Sequence, residues 1–256
     1  MANFNQVFER YELKYILTRS QYEEFKKDLL KYMKVDKYGI STIQSLYYDT
    51  PSSLLIRNSL DKPIFKEKLR LRSYGLSTND STCYLEIKRK AEGLVYKRRI
   101  PIKEQDAKDF MNYKGTLQDT QIARELTYFR NYYKDLVPAM LIIYERESFY
   151  KENSEVRVTF DFNPRYRKDN LNLHTSLEGT QIIDNDTVLM EIKVLHNMPL
   201  WLTNLLTKYK IKRGSISKYG KAYSLEKQKE ININKGEEIP CLIQYSTAKL
   251  QLHHSY

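Results

Sequence analysis

The interpretation of this chain starts from residues 65–101, FKEKLRLRSYGLSTNDSTCYLEIKRKAEGLVYKRRIP. The segment is predicted to form three consecutive strands, because charged residues such as Lys68 and Arg70 alternate with Leu69 and Leu71. Successive side chains of a strand point to opposite faces of a sheet. The segment contains ten Lys/Arg and four Asp/Glu. One face of the predicted sheet is therefore apolar and the other is strongly cationic.

An alternating strand usually packs its apolar face on a core and turns its charged face to water. That interpretation remains open for each strand taken alone. The recurrence of Arg favours a different arrangement, because a solvated face gains nothing from Arg over Glu. Guanidinium groups match the oxygens of phosphates in pairs. We therefore expect a sheet that closes on itself, with the charged face lining an interior that holds an anion.

The rest of the chain alternates strands and helices. Further strands are predicted at 8–16, 42–48, 139–150, 155–163 and 187–195. Helices are predicted after Thr18 and at 52–59, 104–113, 120–133, 199–209 and 217–227. The predicted fold class is α+β, a closed antiparallel barrel of about eight strands with surrounding helices. Residues 1–227 form one predicted domain, and residues 228–256 form a loosely ordered tail.

Composition limits the classes of function. The 256 residues carry a formal charge of +11 and are 41% hydrophobic, which indicates a folded protein with an anionic partner. Two cysteines, Cys83 and Cys241, fit a reducing compartment. The N-terminus lacks the apolar core of a signal peptide, and no apolar run is long enough to span a bilayer. A cytoplasmic location is expected.

The parity of the strands predicts which charged side chains point inward. Nine of these are cationic and four are acidic: Arg10, Glu12, Lys14, Arg70, Arg72, Glu86, Lys88, Arg98, Arg146, Arg157, Asp161, Glu191 and Lys193. Burying so many charges without partners would be prohibitive. A hydrated interior with an excess of positive charge is tolerable when it holds an extended anion. A chain of phosphates has the required charge and shape.

The inward carboxylates suggest a metal ion, since Mg²⁺ and Mn²⁺ prefer carboxylate and phosphate oxygens. Glu191 is the first candidate because apolar residues flank it on its strand, and Glu12, Glu86 and Asp161 follow. A buried ion pair with a neighbouring cation is the alternative for each. The four histidines have no metal-binding spacing, and the chain contains neither a P-loop nor a GxGxxG or GxSxG motif.

Several segments, taken in order, resemble the VTC domain of inorganic polyphosphate polymerases, in the triphosphate tunnel metalloenzyme superfamily. They are FERYELKYIL, KLRLRSYG, YLEIKRK, YKRRIPI, YER at 144–146, VRVTFD, LMEIKV and ISKYGKAY, which together cover about residues 5–225. The resemblance implies an antiparallel tunnel in which the terminal phosphate of ATP is transferred to a growing polyphosphate chain. Mn²⁺ or Mg²⁺ would assist.

The resemblance also implies roles for single residues. Those expected to contact the reacting phosphates are Lys14, Arg70, Arg72, Lys88 and Arg146. Those expected to bind substrate elsewhere are Arg10, Lys97 or its neighbour Arg98, Arg157 and Lys218, to which the inward parity of its strand adds Lys193. Glu191 would hold the metal, and inward parity makes Glu12 and Asp161 further candidates. Lys218 rests on the resemblance alone.

One difference from the superfamily bears on the reaction. Hydrolytic members carry an ExExK motif on the first strand, whereas this chain has Arg10, Glu12 and Lys14 at the motif positions. A metal ligand is lost and a phosphate clamp is gained, which favours a polymerase. The alternatives are a triphosphatase or cyclase-like enzyme on the same fold, and a non-catalytic module that binds polyphosphate or nucleic acid. Nucleic acid is not expected, because most tyrosines share parity with core positions. A membrane partner and the oligomeric state stay open.

Overall fold

A computed structural model describes residues 11–61, 63–92 and 94–234. Its strands are β1 (Tyr11–Thr18), β2 (Lys34–Asp49), β3 (Phe65–Tyr74), β4 (Cys83–Ala91), β5 (Leu94–Ile102), β6 (Val137–Tyr150), β7 (Arg157–Arg167), β8 (Thr180–Gln181) and β9 (Thr187–Val194). Its helices are α1 (Arg19–Leu29), α2 (Leu54–Leu60), α3 (Glu104–Met111), α4 (Gln121–Tyr133), α5 (Leu200–Lys208) and α6 (Lys218–Asn234). The α+β class is confirmed.

The predicted helices are all present, and their local signals explain where they begin. Thr18 caps α1, and its side chain and that of Gln21 form the reciprocal capping box that the sequence predicts. Helix α6 continues seven residues past the predicted end at Lys227, to Asn234. The rest of the predicted tail lies outside the described residues. Of the helices described, none combines the length and the apolar character that crossing a bilayer requires.

Two strands are longer than the alternation predicts, because irregular backbone interrupts their period. Strand β2 begins at Lys34, and its pairing with β6 shifts register between Val35 and Ile40, where Gly39 has a φ of +56°. Such a bulge reverses which face of the sheet the following side chains point to. The alternation of apolar and charged residues is therefore interrupted, and it predicts only the part of the strand after the bulge. Strand β7 likewise continues past Asn163, which has a φ of +45°.

The strands form one antiparallel sheet in the order β1-β9-β7-β6-β2-β3-β4-β5, with β8 paired to β7. Its apolar face is turned outward and is covered by helices. Leu69 and Leu71 of β3 pack in a cluster with Phe129 of α4, and Val158 and Ile192 pack in a second cluster with Phe25 of α1. The charged side chains of the same strands point to the other face. The sheet therefore surrounds a polar interior.

The predicted barrel is not closed by backbone hydrogen bonds within residues 11–61, 63–92 and 94–234. No ladder there joins the terminal strands β1 and β5. The free edge of β1 is instead occupied by the loop after α5, because Tyr15 pairs with Arg213 and the Gly214 amide donates to the Lys14 carbonyl at 3.0 Å. Glycine permits this approach without moving Ile16, since a Cβ at Gly214 would lie 2.8 Å from the end of the Ile16 side chain.

The sheet is nevertheless curled until its ends meet through side chains. Lys88 Nζ of β4 donates to Glu12 Oε2 of β1 at 2.9 Å. These two strands lie near opposite ends of the sheet order, so this ion pair brings the two ends together. The expectation of an enclosed, charged interior is met, although among the described residues no continuous backbone ladder closes the sheet.

A buried carboxylate holds two helices against the inner face. Asp49, at the end of β2, accepts hydrogen bonds from the Leu55 and Ile56 amides of α2 and from the Tyr219 hydroxyl of α6 at 2.8, 3.0 and 3.0 Å. The Tyr219 ring stacks on Tyr47 of β2 with centroids 4.3 Å apart. Asp49 thus positions the first turn of α6, which carries the predicted phosphate ligand.

The Tyr219 hydroxyl can be removed without changing the volume of its ring. Tyr219→Phe should lower the free energy of unfolding by about 1 kcal/mol, because the buried Asp49 carboxylate loses one donor. Denaturant unfolding measures this change. Tyr132→Phe on the exposed surface of α4, where the ring is 65% exposed, is the matched control and should change stability little. Equal effects of the two substitutions would contradict the anchoring role of Asp49.

Candidate functional site

The curled sheet encloses a cavity of about 760 Å³ on its charged face. Its walls come from eight strands, the end of α2 and the segment that leads into α6. Among the described residues, twelve Lys/Arg and three Asp/Glu line it. The cations are Lys14, Lys66, Lys68, Arg70, Arg72, Lys88, Lys90, Lys97, Arg146, Lys193, Arg213 and Lys218. Such an excess of positive charge in a shared space is favourable only with an anionic occupant.

Two arginines of β3 surround one buried acid. Arg70 Nε donates to Glu86 Oε2 at 2.8 Å, while Arg72 Nε lies 3.9 Å from the same oxygen. Burial would raise the pKa of Glu86, but Arg70, Arg72 and Lys97 lower it to about 2. The buried Arg72 Nε has no hydrogen-bond partner among the described residues. Arg72 is therefore held in place with a donor left for a ligand.

A second cationic group is fixed by Asp161 of β7. Arg146 of β6 donates through Nε to Oδ1 at 2.5 Å and through a terminal nitrogen to Oδ2 at 2.8 Å. Lys218 of α6 donates to the same Oδ2. Burial opposes ionisation of Asp161, yet Arg146 and Lys218 lower its pKa to about 2. Both carboxylate oxygens accept hydrogen bonds from these cations, so Asp161 orients Arg146 and Lys218, and a metal at Asp161 would have to displace one of them.

Strands β1 and β9 contribute the remaining acids. Lys193 Nζ lies 3.0 Å from Glu191 Oε1, so Glu191 forms the ion pair that the sequence analysis gave as the alternative to metal binding. Burial raises the pKa of Glu191, but Lys193, Arg146, Lys88 and Lys14 hold it well below the ordinary value. Lys14 lies opposite Glu191 in the β1–β9 pairing, and burial lowers its own pKa.

The environment of the cavity shifts the pKa values of two lysines and one tyrosine. Burial lowers the pKa of Lys68 to about 8 and that of Lys97 to about 7, and neighbouring cations contribute to both shifts. Burial would raise the pKa of Tyr47, but Arg70 and Lys68 outweigh it and bring the value to about 8. Its hydroxyl accepts a hydrogen bond from Arg70 at 3.2 Å. Burial is the main cause for the two lysines, whereas the pKa of Tyr47 is lowered against the effect of burial and so indicates a surplus of positive charge.

Most of the residues predicted from sequence meet in this cavity. It is lined by Glu12, Lys14, Arg70, Arg72, Lys88, Lys97, Arg146, Asp161, Glu191, Lys193 and Lys218. Glu86 lies behind Arg70, outside the lining. Arg10 lies outside the described residues.

Two predicted ligands are placed elsewhere. Arg98 does not line the cavity, and its Nε lies 3.7 Å from Glu125 of α4 on the outer face of the sheet. The inward residue is Lys97, because the alternation of β5 places it on the opposite face from Arg98. Arg157 shares parity with Asp161 but is exposed at the first position of β7, beyond the lining.

The sequence interpretation missed several lining residues. Lys66, Lys68 and Lys90 have the inward parity of β3 and β4, so the same alternation could have identified them. Arg213 has no periodic signal, since it enters the cavity from the loop that pairs with β1. Tyr47 has inward parity on β2 but resembles a core residue by type.

Glu191 fits a divalent cation when the substrate supplies the other ligands. Its Oε1 faces Lys193, and within the described residues no group of three or more His, Cys, Asp or Glu is arranged to hold a metal. Mg²⁺ is commonly bound by one or two carboxylates together with phosphate oxygens. The donors among the described residues suit that mode.

Comparison with solved structures supports the fold. A candidate adenylate cyclase from Bacillus halodurans superposes with a TM-score of 0.52 and 10% identity, covering 82% of this chain and 95% of that one. A candidate adenylyl cyclase from Hippeastrum, described as having a dominant triphosphatase activity, gives a TM-score of 0.48 and 14% identity over 90% of this chain and 98% of that one. The first likeness shows the fold alone.

The family is shown by the sequence itself. No curated protein matches the chain. The VTC-domain family matches residues 9–227, which includes every strand described above and all helices except the last turns of α6. The chain belongs to the VTC-domain family.

Proposed function

We propose that the protein is a polyphosphate polymerase, which transfers the terminal phosphate of ATP to the end of a growing polyphosphate chain inside the cavity. The observation that carries the proposal is the lining of twelve cations and three acids. Membership of the VTC-domain family supports an enzyme that acts on polyphosphate or triphosphate. A cytoplasmic location, expected from the two cysteines, would supply ATP.

The arginines are placed to fix the reacting phosphates. Arg70, Arg72 and Arg146 are anchored by Glu86, Tyr144 and Asp161, so little side-chain entropy remains to be lost when they bind. Anchored guanidinium forks hold phosphate oxygens in one geometry and stabilise the charge that develops on the leaving nucleoside diphosphate. Catalysis of phosphoryl transfer consists mainly of such positioning and electrostatic stabilisation.

The carboxylates favour a phosphate acceptor over water. Hydrolysis is assisted by a base that orients and deprotonates water. Asp161 and Glu191 both have lowered pKa values and are paired with cations, which makes them weak bases. A terminal phosphate oxygen is already ionised at neutral pH and has no proton to lose. Neither carboxylate is therefore suited to deprotonate water, which supports attack by the end of a polyphosphate chain on the terminal phosphorus of ATP, with release of ADP.

Glu191 would hold the metal together with phosphate oxygens. The ion, Mn²⁺ or Mg²⁺, would supply charge neutralisation between the two phosphate groups. The residues of the chain perform the remaining tasks. Lys14 and Lys193 flank Glu191 and contact the same phosphates, and Lys218 brings positive charge from α6. Asp161 keeps Lys218 and Arg146 directed toward the cavity.

The function is tested by incubating the purified protein with ATP and Mn²⁺ and resolving the products on a polyphosphate-stained gel. A polymerase gives a ladder of long chains together with ADP. Free phosphate without a ladder would identify a triphosphatase and overturn the proposal. Polyphosphate binding without turnover, under either metal, would identify a binding module.

Arg72 is the variant most informative for this assay. Arg72→Ala should lower turnover by a factor of about 100 to 1,000, because a positioned donor to the developing charge is lost. Glu86 keeps Arg70 and Lys97 as partners at 2.8 and 2.7 Å, so we expect the variant to fold. The control is Arg124→Ala on α4, whose side chain is 66% exposed. Full turnover in folded Arg72→Ala would refute the assignment of the transfer site.

Glu191→Gln separates metal binding from phosphate binding. Turnover should fall by at least about 100-fold, since the metal loses its carboxylate. In the presence of a chelator, tripolyphosphate should bind the variant as tightly as the wild type or more tightly, because a negative charge has left the cavity. Calorimetric titration measures this binding. A loss of metal-free affinity would show that Glu191 acts by positioning Lys193 or Lys14.

The lowered pKa of Lys97 predicts a pH dependence. Lys97 is protonated below about pH 7 and loses its charge as the pH rises through that value, so phosphate binding should weaken from pH 6.5 to 8.5. Lys97→Arg keeps its charge throughout this range, so its loss of affinity at pH 8.5 should be several-fold smaller than that of the wild type, while the titration of Lys68, with a pKa of about 8, affects both proteins. The protonation of tripolyphosphate itself affects the wild type and the variant equally. The ratio of their dissociation constants at each pH therefore isolates the effect of the charge at position 97. A constant ratio would contradict the prediction.

A further inference from the structure

Two tyrosines lie beside Arg72, just outside the residues that line the cavity. Tyr74 follows Arg72 on β3 with the same parity, about 7 Å further along the strand. Tyr84 of β4 lies directly opposite Arg72 in the β3–β4 pairing. The two rings meet nearly at a right angle, with an interplanar angle of 84° and centroids 6.1 Å apart. We call Tyr74 and Tyr84 the tyrosine corner.

An arginine of β5 covers one ring of the corner and leaves the other open. The guanidinium carbon of Arg99 lies over the Tyr84 ring, 4.8 Å from its centroid. Arg99 is exposed and forms no ion pair with any of the described residues, although Glu86 lies opposite it in the strand pairing. Tyr84 is half-buried, whereas Tyr74 is 52% exposed. The corner therefore presents an open aromatic ring beside an unpaired positive charge.

The backbone that carries Tyr74 is held in place by strand β2. The Gly75 amide donates to the Thr42 carbonyl at 2.8 Å, and the Gly75 carbonyl accepts a hydrogen bond from the Gln44 side chain, also at 2.8 Å. Gly75 has a φ of +72°, which glycine adopts without strain. The position of Tyr74 is thus fixed although its ring is exposed. A ligand that stacks on a fixed ring loses less entropy on binding than one that must order a loop.

The tyrosines inside the cavity offer no comparable surface. Tyr47 is half-buried and is covered by the ring of Tyr219, with centroids 4.3 Å apart. The other aromatic residues of the lining are all buried, and among the described residues they are Tyr15, Tyr144 and Tyr219. A planar ligand would have to displace protein atoms to stack on any of them. The open ring nearest to the arginines is therefore that of Tyr74.

A nucleoside triphosphate has the two chemical parts that this arrangement can bind. Its phosphates match the guanidinium forks of the cavity. Its base is a planar aromatic group, which stacks on tyrosine rings whatever its hydrogen-bonding edge. When the terminal phosphate lies between Arg70 and Arg146, the phosphates nearer the ribose can lie at Arg72. The base then reaches the next inward position of β3, which is Tyr74.

We infer that the tyrosine corner binds the base of the nucleoside triphosphate, with the base stacked on Tyr74 and its edge against Tyr84. Arg99 positions the Tyr84 ring by lying over it. The tyrosines contact no reacting phosphate, so they add affinity for a nucleotide and none for an inorganic phosphate chain. This inference rests on the proposed function for the phosphates in the cavity, but it concerns a binding preference that exists without turnover.

Binding to the intact protein in the presence of a chelator tests the corner. The probes are ATP, which carries a base, and tripolyphosphate, which carries none, and calorimetric titration measures both affinities. Tyr74→Leu should weaken ATP binding about tenfold, because the stacking contact with the base is lost. Its affinity for tripolyphosphate should change less than twofold. Tyr74→Phe keeps the ring and should bind ATP within twofold of the wild type.

The matched control is Tyr128→Leu on α4, since Tyr128 is 65% exposed and its ring contacts that of Tyr132. It should leave both affinities within twofold of the wild type. Equal losses for ATP and tripolyphosphate in Tyr74→Leu would show that the ring supports Arg72, and would overturn the base site. Unchanged ATP binding would overturn it as well. A loss in Tyr74→Phe as large as in Tyr74→Leu would assign the contact to the hydroxyl and refute stacking. If the wild type makes no polymer but shows the loss for ATP alone, the polymerase proposal fails and the base site stands.

Discussion

The structure depends on holding a dozen cationic side chains close together around one cavity, where hydration alone would not offset their mutual repulsion. The sheet achieves this by turning its apolar face outward to the helices, the reverse of a usual single-layer arrangement. The protein provides enough carboxylates to anchor the key side chains and too few to neutralise them. Glu86, Asp161 and Glu191 each hold their cations in a defined orientation. The remaining positive charge is held in a fixed arrangement, and an anionic ligand would neutralise it.

This arrangement places stability and function in opposition. Cations held together without an anion repel one another. Burial lowers the pKa values of Lys68 and Lys97, and this repulsion lowers them further. A polyanion removes the repulsion, so ligand binding contributes to the stability of the sheet as well as to catalysis. The large outer clusters around α1, α4 and α5 supply the stability that the interior lacks.

The sequence predicted those parts of the site that alternation controls. Arg70 and Arg72 follow a strict period of two, and the structure places both inward. The period fails at 97–99, where three consecutive cations fit either face, so Lys97 and Arg98 could not be told apart. It also fails for Lys218 and Arg213, which reach the cavity from a helix start and a loop. The sequence predicted an enclosed interior but not what lies along the edge of β1. A loop that contains Gly214 and has no periodic signal hydrogen-bonds to this edge.

The join between β1 and β4 has a mechanical consequence. Strand register fixes the circumference of a barrel closed by backbone hydrogen bonds. Within the described residues it is a side-chain contact, the Glu12–Lys88 ion pair, that joins β1 to β4, and Lys88 also lines the cavity. An anion bound at Lys88 competes with Glu12 for the same ammonium group. Salt screens the same ion pair, so the bound anion and the ionic strength both act on the contact between these two strands while every backbone pairing stays in place.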